Sequence, residues 1–259
     1  MSMMTFARDL VITDELDPMY IVMHRITPHE LKLRFVTHFF LFYDAGEAAM
    51  CMTDPRPFWD YVDYGYKVFK RGTERRHFRG EKGLRAIKVL RQSRTLDELW
   101  DRIYGHNMTT MASFIEAHMK GAQLGPYFQW KAMDILDRVF DDKVELTLKE
   151  AVKYLPEEPR KCISAIWPHL SLATALEEVT SWIDDIPAPG ARSRNCFYSE
   201  AETVLCAING FLKGSYKFGQ DLERRHKELE PFPELRRLLP DPIVTKNYEH
   251  SLDAPTVSA

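Results

Sequence analysis

The chain has 259 residues, 45% of them hydrophobic, and a formal charge of −3. That suffices for a substantial core, and the slight acidity excludes a uniformly basic nucleic-acid coat while leaving room for one basic groove. There is no apolar run long enough to span a membrane and no leader-like start, and Cys51, Cys162, Cys196 and Cys206 form no C-x-x-C pair, which argues for a reducing cytoplasm over a disulfide framework or zinc site.

Thr27-Pro-His-Glu30 has the form of a capping box with proline at the first helical position, opening a long helix through Phe35, Phe39, Phe42 and Tyr43. Asp54-Pro55 opens another, carrying Phe58, Trp59 and Val62. Next comes the most unusual stretch of the chain, with Arg71, Arg75, Arg76 and Arg79 interleaved with Glu74 and His77 and bracketed by Gly72 and Gly80. Arginine recurs where a planar, permanently charged fork must hold phosphate or carboxylate. Lys82, Arg85, Lys88, Arg91 and Arg94 follow with only Glu81 opposing them, so one segment of a slightly acidic chain is strongly basic. A solvated helix face with an internal Glu–Arg pair is the plain reading. A polyanion-binding surface is the sharper one.

Leu84, Ile87 and Leu90 form a helical stripe, and Thr95-Leu-Asp-Glu98 is a second capping box. A helix over 109–120 meets Gly121-Ala-Gln-Leu-Gly125, a turn in the style of helix–hairpin–helix modules, whose exposed amides meet a DNA phosphate. The following helix, Pro126 to Phe140, sets Lys131, Asp134 and Arg138 on a polar side, either a surface ion-pair ladder or part of a site. Val144-Glu-Leu146 is a candidate short strand. Thr147-Leu-Lys-Glu150 caps a short helix that Pro156 and Pro159 end, and a helix over 171–186 runs into the Pro187–Arg194 loop with Arg192 and Arg194.

Ser199-Glu-Ala-Glu202 reads as the cap of a helix in which Glu202, Cys206, Asn209 and Lys213 recur at offsets of four, three and four. These fall within an arc of roughly 60° beside the apolar Val204, Leu205 and Ile208 face, where a cleft wall would stand. Read singly, Glu202 is a capping carboxylate and Cys206 a small buried hydrophobe. A charged helix near Asp221 to Glu230 closes an all-α chain. We expect one catalytic domain over 1–240, or two helical lobes meeting near 105–125 or 187–195, with a flexible tail over 241–259.

Three blocks taken together, Arg71-x-x-Glu-Arg-Arg-x-Phe-Arg-Gly80, Trp130-Lys-Ala-Met-Asp134 and Glu202-Thr-Val-Leu-Cys206, with Lys213, Gly219 and Asp221 downstream, resemble the amino acid:DNA transferases of bacteriophages. These are also described as α-glutamyl/putrescinyl-thymine pyrophosphorylases. The similarity runs from about Asp17 to Asp221. Where that pattern has a lysine one turn after the cysteine, this chain carries Asn209, with Lys213 a turn further on.

The resemblance implies a compact helical bundle similar to helix–hairpin–helix DNA glycosylases, working in the cytoplasm of an infected bacterium. The implied reaction displaces pyrophosphate from the 5-methylene of pyrophosphorylated 5-hydroxymethyluracil in DNA, using the amine of an amino acid or related compound. Its partners would be DNA carrying the modified thymine and the free amine.

That chemistry gives each block a task. Arg71, Arg75, Arg76 and Arg79, with Lys131 and Lys213, would hold the pyrophosphate and the substrate. Lys82, Arg85, Gly121 and Gly125 would meet DNA. Glu74, Asp134 and Glu202 are candidates to take the proton of the attacking amine. Cys206 is the candidate nucleophile for C6 of the ring, which requires Lys213 or an arginine to lower its pKa. Tyr127, Phe128 and Trp130 could stack on a flipped base. Arg192, Arg194 or one of the central four would receive an amino-acid carboxylate.

No cofactor is expected, a divalent metal is left open, and no cluster has metal-ligand spacing. The alternatives are a glycosylase-like enzyme using Lys131 with Asp134, and a non-enzymatic DNA-binding protein.

Overall fold

Hydrogen-bonding side chains set several of the helix boundaries. The structure is a computed structural model that describes residues 2–69, 78, 80–122, 124–191 and 194–242. Expectations resting on Arg71, Glu74, Arg75, Arg76, Arg79, Arg192, the Lys82 side chain and the tail lie outside those residues.

Within them the chain is all-α. The order is α1 Met3–Ile12, α2 Pro18–Arg25, α3 His29–Phe42, α4 Ala45–Thr53, α5 Phe58–Val68, α6 Gly80–Leu90, α7 Leu96–Ile103, α8 Met108–His118, α9 Pro126–Val139, α10 Leu148–Tyr154, α11 Glu157–Ile166, α12 Leu172–Ser181, α13 Tyr198–Leu212, α14 Gln220–Glu228 and α15 Pro233–Arg236. The expected strand at Val144–Leu146 is a single bridge, Glu145 pairing with Asn107. No helix among the described residues is long and apolar enough to cross a membrane.

One of the expected capping boxes, at α10, forms in full, and the one at α7 forms in half, its glutamate reaching the residue before the N-cap. Thr147 and Glu150 cap α10 reciprocally. At α7 the Thr95 hydroxyl accepts from the Glu98 N–H at 3.0 Å, and the Glu98 carboxylate accepts from the Arg94 N–H at 2.7 Å. Thr95→Ala should therefore cost about 1 kcal/mol, read as a lower urea midpoint with an unchanged slope.

Three expectations need correction. At α3 the N-cap is Pro28, which makes no side-chain cap bond, because proline stands in the capping position and leaves Thr27 one residue too early. On α6 Leu84 is exposed, the buried stripe being Ala86, Ile87 and Leu90. On α13 the helix begins at Tyr198, so Ser199 lies inside it, and Glu200 rather than Glu202 closes the cap by accepting from the Phe197 N–H at 2.8 Å. Glu202, one turn from the helix start, is thereby released from capping.

Two helices organise the interior. α13 packs against α1, α10, α11 and α12, and α9 packs against α2, α3, α8 and α10. Each buries an apolar face, Phe128, Ile135, Leu136 and Val139 on α9 and Val204, Leu205 and Ile208 on α13. Their polar stripes meet each other and the turn between α1 and α2, which carries charge to the middle of the molecule.

Candidate active site

The polar stripe of α9 is not a surface ladder. Lys131, Asp134 and Arg138 are all buried, the last two completely. Burial of an isolated charge costs several kcal/mol, so such groups persist only when paired. The Lys131 Nζ lies 3.1 Å from Asp134 Oδ2, 3.6 Å from Glu202 Oε2 and 3.9 Å from Asp17 Oδ2. The Arg138 guanidinium reaches Asp17 at 3.1 Å, Asp134 at 3.3 Å and Glu200 at 3.4 Å, and lies 4.1 Å from the centre of the Tyr20 ring. Asp17 enters from the α1–α2 turn in the left-handed region, φ 52°, just before Pro18. The Thr203 hydroxyl lies 3.2 Å from both Asp17 Oδ2 and Glu202 Oε2, close enough to donate to either.

Four carboxylates thus surround two buried cations, and they do not share the attraction equally. Burial would push Asp17 up, but Lys131 and Arg138 outweigh it and hold the carboxyl below its usual range. Burial is likewise outweighed at Glu200, by Arg138 and by Arg194. At Asp134 and Glu202 burial wins, and both carboxyls are raised. For Glu202, Lys131 opposes the rise while Asp134 and Asp17 add to it. Lys131 stays charged, because Asp17 and Asp134 outweigh its burial.

Of the two raised carboxyls, Glu202 faces open space. A cleft of about 530 Å³ is lined by Glu202, Thr203 and Cys206 from α13, by Tyr127 and Lys131 from α9, and by Asp17 and Tyr20. Glu15, Tyr216, Asp221 and Arg224 also line it. The volume is that of a small-molecule site. A raised-pKa carboxylate beside a fixed ammonium, in a cleft, is the arrangement expected of a group that exchanges protons with a ligand.

The sequence-predicted residues divide accordingly. Glu202, Cys206, Lys131 and Asp134 come together. Lys213 does not join them. Its ammonium is half-exposed and pairs with Glu158 at 3.0 Å, and Asn209 Nδ2 donates to the same carboxylate at 2.9 Å. The α13 stripe therefore splits, its first half facing the cleft and its second tied to α11.

The expected depression of the Cys206 pKa by Lys213 is corrected for the same reason. Burial pushes the thiol well up, with Glu202 adding to the rise, and the thiol lies 3.4 Å from Glu202 Oε1, to which it donates. Arg194 is engaged by Asp137 at 2.5 Å and Glu200 at 3.0 Å, so it is already spoken for by two carboxylates. Phe128 and Trp130 are core residues, and of the three aromatics proposed to stack only Tyr127 lines the cleft. Arg85 is exposed on α6. Gly121 adopts φ +97°, and Gly125 is the extended N-cap of α9. No group of three or more His, Cys, Asp or Glu among the described residues is arranged to hold a metal ion.

Sequence reading missed Glu15, Asp17, Tyr20, Glu200 and Thr203 as parts of this site. The acidic run Asp14-Glu-Leu-Asp17 ahead of Pro18 was the one available signal.

A family model for amino acid:DNA transferases matches residues 13–212. That span begins just before Asp17 and ends with α13, and so contains every member of the buried charge network. The chain belongs to the amino acid:DNA transferase family. Transfer of an amino acid or amine to DNA is the activity that membership carries.

Two phage relatives agree in kind. The chain is 27% identical to the putrescinyltransferase of Delftia phage PhiW-14, covering 91% of this chain and 82% of the relative. It is 23% identical to the glycinyltransferase of Pseudomonas phage PaMx11, covering 86% and 88%. In this transferase the family span leaves out Tyr216, Asp221 and Arg224, so part of the cleft lining lies beyond it.

Two of those residues, Tyr216 and Asp221, hold a testable group that lies inside the span. Glu15 is buried, and its carboxylate accepts from the Tyr216 hydroxyl at 2.7 Å and from the Asp221 and Leu222 N–H groups at 2.9 and 3.1 Å. Burial nevertheless raises its pKa from 4.5 to about 7. The folded state then holds more protons than the unfolded one between pH 4.5 and 7, so this group lowers stability as pH rises through that window. Glu15→Gln should flatten stability against pH over the same interval, measured by urea unfolding at several pH values.

Proposed function

We propose that this enzyme joins an amine to the 5-methylene of pyrophosphorylated 5-hydroxymethyluracil in DNA, releasing pyrophosphate. The observation that carries the reading is Glu202, a buried carboxylate of raised pKa at the wall of a substrate-sized cleft, inside the family span and beside Lys131. An amine must lose a proton to become a nucleophile, and Glu202 is the group to take it. The amine nitrogen then attacks the methylene carbon. The new C–N bond forms as the C–O bond breaks, and the bonding pair leaves with pyrophosphate. Lys131 holds the unprotonated Glu202 in readiness, and the Cys206 thiol donates to the other carboxylate oxygen.

The turn around Gly121 and Gly125 supports DNA approach at the N-terminus of α9, whose Tyr127 and Lys131 reach the cleft. The Arg71–Arg79 block and the nearby Lys82 and Arg85 are the proposed grip on pyrophosphate and backbone. The named activities of the two relatives, putrescinyl and glycinyl transfer, support an amino acid or a polyamine as the amine.

The test is incubation with DNA carrying the pyrophosphorylated base and a mixture of amines, followed by nucleoside mass measurement. A nucleoside heavier than that of 5-hydroxymethyluracil by one amine less one water is expected. Release of free base would overturn the reading in favour of an excising enzyme, and unchanged DNA would overturn it outright.

A further inference from the structure

Resting on the transferase reading, we propose that Thr203 is a positioning residue for the proton transfer: its hydroxyl donates to Asp17 and offers its oxygen to the proton that Glu202 takes from the amine. The placing of three oxygen atoms carries this.

Among the described residues Glu202 has two hydrogen-bond partners, one at each carboxylate oxygen. The Cys206 thiol donates to Oε1 at 3.4 Å, and the Thr203 hydroxyl lies 3.2 Å from Oε2. The same hydroxyl lies 3.2 Å from Asp17 Oδ2 and 3.5 Å from the Ser199 carbonyl one turn back. A hydroxyl has one proton and two lone pairs. While Asp17 and Glu202 are both charged, that proton serves one of them and not the other.

Once Glu202 has taken the amine proton, Asp17 is the anion that remains, kept charged by Lys131 and Arg138. The hydroxyl then donates to Asp17. Its oxygen accepts from the new O–H at Oε2, since Oε1 already faces the thiol hydrogen. Two hydrogen bonds stand where one stood. The proton passes from the amine nitrogen to Oε2, and the hydroxyl turns but keeps its own. The Lys131 Nζ, 3.4 Å away, meets the second lone pair. The protonated base is thus the better-bonded one, and Glu202 takes a proton more readily for it.

The other groups around Glu202 offer no substitute. From α9, Lys131 can only donate, and Asp134 is met by Lys131, Arg138 and the Tyr20 hydroxyl of α2. On α13 itself, Glu200 is held by Arg138 and Arg194. From α11, Cys162 lies toward Cys206, while Glu157 and Glu158 pair with Lys161, and Glu158 also with Lys213. On α1, α10 and α12, Arg8 pairs with Asp185, Glu150 caps its own helix and Glu178 accepts from Trp182. Elsewhere in the cleft lining, Glu15 is bonded to Tyr216 and the α14 backbone, Arg224 pairs with Asp221, and Arg225 with Glu228.

The experiment compares the wild type with Thr203→Val, which keeps the shape and loses the hydroxyl, and with Thr203→Ser, which keeps the hydroxyl. Glu202 is titrated in the free protein by carbon NMR of the carboxyl group in glutamate-labelled samples, its signal assigned by its absence from Glu202→Gln. Valine removes two bonds from the protonated form and one from the charged form. The Glu202 pKa should therefore fall by about half to one pH unit, the worth of one neutral hydrogen bond, and stay in place in Thr203→Ser. Single-turnover transfer should follow suit. In Thr203→Val the acid limb of the pH–rate profile moves down with the pKa, and the plateau falls about 2- to 10-fold. The deficit should close as the pH is lowered.

A Glu202 pKa that rises in Thr203→Val means that the hydroxyl serves the charged carboxylate, and one that does not move means that Thr203 only fills space. Either result overturns the proposal, as does a plateau loss in Thr203→Ser as large as that in Thr203→Val. Should the valine variant lack a cooperative thermal transition, Thr203→Ala carries the same expectation. The titration needs no turnover, so it decides the role of Thr203 even where the modified DNA gains no mass, the result that overturns the transferase reading instead.

Discussion

Glu202→Gln should slow transfer by about 10²- to 10⁴-fold, the usual contribution of a positioned general base, while affinity for the DNA substrate stays near that of the wild type. The amide keeps the size of the side chain, and its one oxygen can still accept from either the Cys206 thiol or the Thr203 hydroxyl, which meet different oxygens of the carboxylate at 3.4 and 3.2 Å. What it cannot do is take a proton. The loss should therefore fall on kcat, measured by nucleoside mass in single-turnover reactions, with little change in DNA binding by fluorescence anisotropy.

Cys206→Ser is the companion variant. The thiol is held protonated by burial and by Glu202, so a hydroxyl that still donates to the carboxylate should keep most of the rate. A Cys206→Ser loss as large as that of Glu202→Gln would instead mean that the thiol attacks the ring, with Glu202 as the base that takes its proton. Wild-type turnover in Glu202→Gln would remove the carboxylate from the mechanism altogether.

The contrast between α9 and α13 shows how far sequence alone reaches. The 3.6-residue period revealed both polar stripes, and capping chemistry placed the starts of α7 and α10. Period does not say what a polar stripe faces. Lys131, Asp134 and Arg138 have the i, i+3 and i+4 spacing of a solvated ladder, and only tertiary packing against α2 and the α1–α2 turn turns them inward. On α13 the same rule grouped Glu202, Cys206, Asn209 and Lys213, yet Glu158 on α11 draws the last two away. Asp17 and Glu15 were out of reach for another reason. They sit in a short turn, where no periodicity operates, and their partners are 114 to 207 residues distant. A resemblance carried by blocks named the family, but its residues could not show which carboxylate would be raised and which lowered.

Arg138→Met should destabilise the protein by about 3–5 kcal/mol, the usual cost of removing one member of a buried ion network. The arginine is fully buried and lies within 3.4 Å of Asp17, Asp134 and Glu200, so its loss leaves three carboxylates to share Lys131 and Arg194. Methionine fills much of the volume, and the penalty is therefore mainly electrostatic. For a chain of this length it corresponds to a fall in melting temperature of about 10 °C.

The sign of the pH dependence tests the cause. Asp17 and Glu200 are held below their usual range in the folded protein, so each contributes stability that is full above the ordinary carboxylate range and is lost as pH falls through its folded pKa. Arg138 is among the groups that hold both down. Asp134 behaves oppositely, because burial already raises it, and removing Arg138 raises it further. All three responses favour protonation of the variant's interior. The gap between wild type and Arg138→Met should thus be widest near pH 7 and narrow as the pH is lowered toward 4, followed by urea unfolding at each pH. A gap that stays constant across that range would mean that lost packing, rather than lost charge, destabilises the variant.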